Sequence, residues 1–294
     1  MKVGNNVQVA KQGTVQLSKK TVTLEVEKMA TVKKKKKQDT TTADIKLTNT
    51  EGKNLDDVAA LQEIIKEQNA EGAKIPTDAN LVAKCGETED GEKWYTSGYI
   101  WNSDGRLEGI YWVDCNMKGS LTLEKLPVLK TFICDNNQLS SLYIGKNTAL
   151  TVLNCCANKL SNLDVSQNTA LTFLECGLND LNNLDVSKNT ALTVLNCYAD
   201  ILSNLDVSKN TALTVLNCDA NGLSNLDVSQ NTALIELCCF GNQLSSLDVS
   251  QNTALAWLNC YRNKLSSLDL TNNKNLDNLR YDYDTVTVIG WEDE

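Results

Sequence analysis

Every 21 residues the chain repeats itself, and this period constrains the fold more than any other feature. Counted from the leucine after each NTA tripeptide, units begin at Leu150, Leu171, Leu192, Leu213, Leu234 and Leu255. A looser unit starts at Leu129, a degenerate one at Leu276, and residues 107–128 read as a 22-residue opening unit. A period of this length marks a stack of short structural units, each too small to bury its own apolar face. Positions 4 and 6 of the unit are Leu and Cys, and positions 14 and 16 are Leu and Val. Both pairs alternate as strand residues do, with their side chains on one face. The pattern therefore predicts a strand through positions 4 and 6 and a second short strand in each LDV.

Asparagine recurs at two further positions. Position 9 holds Asn137, Asn158, Asn179, Asn221, Asn242 and Asn263; position 19 holds Asn147, Asn168, Asn189, Asn210, Asn231, Asn252 and Asn273. Where a coil turns, backbone groups leave the ladder and need other partners, which a buried amide supplies. Asp200 stands at position 9 in one unit. A carboxylate accepts but does not donate, so that turn is expected to be weaker or rearranged.

The spacing LxxLxCxxNxL followed by LDVSxNTA resembles the cysteine-ladder leucine-rich repeats of internalin J-type bacterial surface proteins. The resemblance is strong over residues 129–275 and looser over 54–128. It implies a curved leucine-rich-repeat solenoid of parallel β-strands with a small α/β N-terminal cap. It also implies a non-enzymatic, adhesin-like binding module, extracellular or on the bacterial cell surface, that takes a protein or glycan on its concave strand face. The alternative is a structural spacer within a larger exported protein. A signal peptide and a wall-sorting motif, which export of that kind uses, are not visible in the chain.

Four segments follow. Residues 1–50 alternate like short strands and contain the tract Lys33–Lys37; 51–106 form the cap; 107–275 form the solenoid; 276–294 form a degenerate closing repeat. The lysine tract reads as a solvated linker rather than an anion-binding patch, because the chain as a whole carries a net charge of −9. The same charge argues against nucleic-acid binding. In the cap, NLDDVAALQEIIKEQNAEG predicts a helix: Asn54 caps it, Asp56 and Asp57 suit its first turn, and Gly72 suits its end. Val58, Leu61, Ile64 and Ile65 make its apolar stripe, and Trp94, Tyr95, Tyr99 and Trp101 are expected to complete the cap core. No apolar run approaches the roughly 20 residues that span a bilayer.

Chemistry is sparse. The chain has no histidine, which removes the commonest general base and metal ligand. Of its 11 cysteines, those at position 6 form one column: Cys134, Cys155, Cys176, Cys197, Cys218, Cys239 and Cys260. Parallel side chains one rung apart, about 4.8 Å, lie too far for a relaxed disulfide. A straight column cannot converge four ligands on zinc. These thiols are expected to be small buried core residues of raised pKa. Cys156 and Cys238, at positions 7 and 5, are expected to point outward and meet solvent, while Cys85 and Cys115 in the cap region could pair. The column Asp164, Asp185, Asp206, Asp227, Asp248 and Asp269 at position 15 is expected to be held by hydrogen bonds from neighbouring Ser, Thr or backbone donors rather than by calcium. Glu175 and Glu236 are three rungs apart, too far to cooperate. The reading calls for no catalytic residue, metal or cofactor, and for a monomer. The candidate binding residues are the side chains projecting from the strand face: Asn154, Phe173, Tyr198, Asn217, Asp219, Phe240, Trp257, Asn259, Tyr261 and Arg262, with the aromatic ones clustered in the C-terminal half.

Overall fold

The computed structural model describes residues 46–87 and 93–291. The strand-like pattern of residues 1–45, the Lys33–Lys37 tract and the Trp94 and Cys85 side chains lie outside what is described. One helix, α1 (Leu55–Ala70), opens the described part. Asn54 caps it by accepting from the N–H groups of Asp56 and Asp57, which satisfies two of the free donors at a helix start. Gly72 leaves the helix at φ 87°, where a side chain would be strained. Leu61, Ile64 and Ile65 are buried.

Among the described residues, the main sheet is built from β3 (Gly98–Trp101), β4 (Leu107–Tyr111), β6 (Thr131–Ile133), β8 (Val152–Asn154), β9 (Phe173–Glu175), β10 (Val194–Asn196), β11 (Val215–Asn217), β12 (Glu236–Cys238), β13 (Trp257–Asn259) and β15 (Asn278–Arg280). They lie side by side in that order. All pairs are parallel except β3 with β4. The register is the sequence period itself: Val194 faces Val215, which faces Glu236, which faces Trp257. A small antiparallel pair, β1 (Cys85–Glu87) with β2 (Lys93–Tyr95), completes the cap strands.

Behind the sheet the leucines of positions 1, 4 and 11 are buried in every rung from Leu150 to Leu265. The seven thiols of position 6 are free and fully buried. Trp112 takes the corresponding place before Cys134 and Tyr281 the place after Cys260, so an aromatic ring stands at each end of the thiol column. Tyr99, Trp112 and Phe132 form a chain of edge-to-face contacts from cap into stack, with centroid separations of 6.4 and 6.1 Å. Tyr99 also donates through its hydroxyl to the Pro76 carbonyl. Trp101 is partly buried against the same core, and Tyr95 packs on Tyr111 at 6.0 Å. Asp57, expected only to suit the first turn, is buried beneath Arg106. Its carboxylate accepts from Arg106 Nε at 2.7 Å and Nη2 at 3.1 Å and from the Leu107 N–H at 2.9 Å. That cluster fastens α1 to the first rung.

The second strand expected in every LDV is absent from the middle rungs. On that side strands pair only at the ends: β5 (Lys118–Thr122) with β7 (Gln138–Tyr143), and β14 (Ser267–Asp269) with β16 (Thr287–Ile289). In between, the position-19 asparagines do the ladder's work. Asn189 Nδ2 donates to the carbonyls of Val165 and Asn168, both at 2.9 Å, and the Asn189 carbonyl accepts from Asn210 Nδ2 at 2.9 Å. A rung is thus tied to its neighbour by side-chain amides, and the backbone is free to turn. The position-15 aspartates accept from the N–H two residues on, as Asp185 does from Ser187 at 2.9 Å. Those hydrogen bonds with Ser187 hold its carboxyl below the usual range.

Candidate functional site

The strand face carries the variable side chains, and position 8 sets their directions. Asn136, Ala157, Leu178, Ala199, Ala220 and Arg262 all adopt φ between 52° and 57°, and Gly241 sits at 68°. This left-handed turn ends β6 and each strand from β8 to β13. It is fastened to the next rung: the Ala199 N–H donates to the Asp219 carbonyl at 2.8 Å and the Gly241 N–H to the Tyr261 carbonyl at 2.9 Å. Nothing in the sequence pattern singled position 8 out, since alanine fills it as often as any residue that favours the conformation.

Position 5 turns out to be structural. Asn154 is buried, and its Oδ1 accepts from the Cys156 N–H at 2.9 Å. Asn217 and Asn259 make the same bond to Asp219 and Tyr261, at 3.0 and 3.4 Å. Asn154 is therefore removed from the accessible face, and the other two brace the turn as well as lining it.

Cys156 and Cys238 do not meet solvent as expected; they are 6% and 7% exposed. Tyr198 covers Cys156 from two rungs away, its hydroxyl 3.3 Å from Sγ. It can lie across the intervening rung because position 7 there is Gly177. A Cβ on that glycine would stand 2.6 Å from the Tyr198 carbonyl oxygen and 2.8 Å from its ring. Burial pushes the Cys156 thiol up to about 12. Burial, with Asp219 and Glu236 nearby, also raises Cys238, whose Sγ lies 3.7 Å from Glu236 Oε1. The position-6 thiols are raised by the same desolvation. Cys115 in the cap is likewise a free, buried thiol. None of these groups is an activated nucleophile.

Further along, the aromatic side chains converge. Phe240 and Tyr261 stack with centroids 6.0 Å apart and planes at 21°. The Arg262 guanidinium lies over both rings, at 5.5 and 5.7 Å. Arg280 lies over Trp257 at 5.2 Å, and Tyr281 packs on Tyr283 at 4.3 Å. Phe240, Trp257 and Tyr261 are half-buried by these contacts, while both arginines remain exposed. Asp219 orders the edge of the cluster, its Oδ1 accepting from the Phe240 N–H at 2.6 Å; burial pushes its carboxyl up to about 7. Phe173 stands three rungs before Phe240 on the same face, outside this cluster. The structure thus stacks Phe240, Tyr261 and Arg262 together, pairs Trp257 of the same rung with Arg280, leaves Asn154 buried, and uses Tyr198 as a cover over Cys156. Arg280, Tyr281 and Tyr283 were missed in the sequence because they fall in the degenerate repeat, where the period gives no position to read. Among the described residues no cluster of Cys, Asp and Glu has the arrangement of a metal site, and no helix is long and apolar enough to cross a membrane.

No protein-family model matches the sequence, and no curated protein matches it. Solved structures do. The functional domain of InlJ from Listeria monocytogenes, which includes a cysteine ladder, is 29% identical over 63% of this chain and 54% of that one, with a TM-score of 0.36. A leucine-rich-repeat protein of Leptospira interrogans is 24% identical over 56% of this chain and 45% of that one, with a TM-score of 0.52. Internalin C2 of Listeria monocytogenes is 18% identical over 62% of this chain and 80% of that one, with a TM-score of 0.54. The chain spans about half the length of the first two. The fold is that of a leucine-rich-repeat solenoid, shared with internalin C2 and the Leptospira protein, with parallel strands and 21-residue rungs.

Proposed function

We propose that the solenoid is a non-enzymatic binding module that captures a protein ligand on the C-terminal half of its strand face. The observation that carries this reading is the stack of Phe240, Tyr261 and Arg262 beside the Arg280–Trp257 pair. Tyr, Trp and Arg side chains in partly desolvated clusters are the residues that dominate protein interfaces. Here they are pre-ordered by one another, so little side-chain freedom remains to be lost on binding. Likeness to InlJ and internalin C2 supports the same reading and an extracellular or cell-surface setting. The thiol column is compatible with that setting, because buried thiols of raised pKa react slowly with oxidants.

The test is a binding screen of the whole chain against mucins, glycans and cell-surface proteins, repeated with Trp257→Ala and Tyr261→Ala. A protein ligand that binds wild type and loses at least about thirtyfold in affinity with either variant supports the reading; loss of a hot-spot side chain costs at least about 2 kcal/mol. Ligands that bind wild type and both variants alike remove the patch from the function. Glycans as the sole ligands would overturn the protein class.

A further inference from the structure

Position 9 is a continuous ladder of asparagine amides with one break, and the break falls at Asp200. Elsewhere each amide does two jobs. Asn158 Oδ1 accepts from the Leu139 N–H at 2.9 Å, and its Nδ2 donates to the carbonyls of Cys134, Cys155 and Cys156 at 3.0, 3.1 and 3.2 Å. Asn242 repeats the pattern one rung after Asn221. Each cysteine carbonyl within the ladder thereby receives two amides, as Cys155 does from Asn158 and Asn179. Asp200 keeps the first job: its Oδ1 accepts from the N–H groups of Asn179 and Leu181 at 3.1 and 3.2 Å. Its Oδ2 then occupies the place of the missing amide nitrogen, since both groups are planar and of the same shape. That oxygen is buried without a partner. The Cys176 and Cys197 carbonyls correspondingly each receive one amide instead of two, from Asn179 at 2.8 Å and Asn221 at 2.9 Å.

Two carbonyl oxygens one donor short therefore lie where an unpartnered carboxylate oxygen points. A hard metal ion gathers about six or more oxygens around one point, and one carboxylate oxygen with two carbonyls does not supply them. A proton fits, because an O–H···O bond spans the same distance as the N–H···O bond that it replaces. We propose that Asp200 is a proton-operated latch: protonated, it donates to the Cys176 or Cys197 carbonyl and closes the position-9 ladder; ionised, it leaves the ladder open at the rung that carries Tyr198.

The surroundings favour the protonated form. Burial raises the Asp200 carboxyl to about 7, against the two backbone N–H groups that lower it, with Asp180 on the preceding turn raising it further. The other titratable groups facing it are the thiols of Cys155, Cys176 and Cys197, all themselves held neutral by burial. Asp219 reaches the same Cys197 thiol from the following rung. No cation is among the groups acting on Asp200. An acid whose folded pKa exceeds its unfolded one takes up a proton on folding. Below the unfolded value, about 3.9, both states hold the proton and nothing is lost. Between that value and about 7 the fold weakens as pH rises, and above it the loss is constant.

The experiment compares wild type with Asp200→Asn by equilibrium urea denaturation from pH 5 to pH 8. Asparagine fills this position in the other rungs, so the variant folds. The ratio of its folding constant to that of wild type is expected to rise about tenfold per pH unit up to pH 7 and then level off. Asp135 and Asp219, also raised by burial, to about 6 and 7, are present in both proteins and cancel in the ratio. Asp180→Asn, which removes a neighbouring charge and no ladder group, is expected to leave the slope nearly unchanged. The second readout is the infrared carbonyl band of protonated carboxylic acids at pH 6, to which Asp135 and Asp219 also contribute and which is expected to lose one carboxyl's intensity in Asp200→Asn. A ratio that does not vary with pH, or an unchanged band, overturns the latch. This folding test does not rest on the binding reading above, so either can fail alone.

Discussion

Alanine at a left-handed turn is an unfavourable choice, and three rungs make it. Ala157, Ala199 and Ala220 hold φ of 52°, 53° and 53°. For a residue with a Cβ this conformation costs roughly 1–2 kcal/mol. Glycine relieves that strain but loses about 0.5–1 kcal/mol more backbone freedom on folding. The balance favours glycine by about 0.5–1 kcal/mol per site. Gly241 already occupies the position in the next rung with the same inter-rung bond, so the backbone accepts the change. Ala220 is exposed and packs little, so losing its methyl group costs almost nothing. Replacing all three alanines with glycine is expected to stabilise the fold by about 1.5–3 kcal/mol if the sites are independent. For a chain of this size that is a rise in melting temperature of about 3–10 °C. Urea denaturation and scanning calorimetry would measure it. The control is Ala170→Gly, at a position of ordinary φ, which is expected to destabilise by about 0.5–1 kcal/mol. Glycine variants that destabilise at position 8 as much as at Ala170 would refute the argument that the turn is strained.

Two further outcomes follow from other contacts. Asp57→Ala leaves the Arg106 guanidinium and the Leu107 N–H without their acceptor, and it is expected to cost about 3 kcal/mol in denaturant titration. That is the low end for a buried pair, because the Arg106 side chain remains 31% exposed. Gly177→Ala is expected to lift Tyr198 off Cys156, since the new Cβ would fall inside the ring's van der Waals contact. A single additional thiol should then react with an aromatic disulfide reagent in the folded protein, and an unchanged thiol count would show that Tyr198 does not shield it.

The period made the architecture legible because the sheet register equals the repeat, so each letter column becomes a column of atoms. The same logic identified the buried thiols and both amide ladders. It misread the LDV segments because Leu163 and Val165 alternate as strand residues do, whereas the hydrogen bonds that would make a strand are taken by Asn168 and Asn189. It also misread Cys156. Alternation places that side chain outward, and only a tyrosine 42 residues later, lying across a glycine, buries it. The left-handed position 8 left no mark, since Ala157 and Ala220 are ordinary in composition and unusual only in backbone. The candidate patch was half visible: Phe240, Trp257, Tyr261 and Arg262 fall on readable positions, while Arg280 and Tyr281 belong to a rung whose letters have drifted.

The register between neighbouring strands has a consequence at the level of the gene. Each central rung presents the same leucines, thiol and position-19 amide above as below, so a rung removed whole leaves two surfaces that already match. Loss or gain of 63 coding nucleotides in the stretch from Leu150 to Ala233 would shorten or lengthen the stack without creating a new kind of contact. Only the ends, where Trp112 and Tyr281 close the thiol column, could not be exchanged in this way. Unequal recombination can therefore vary the length of the solenoid while Trp257, Tyr261 and Arg262 keep their place beside the closing rung, and reach would become a heritable quantity separable from recognition.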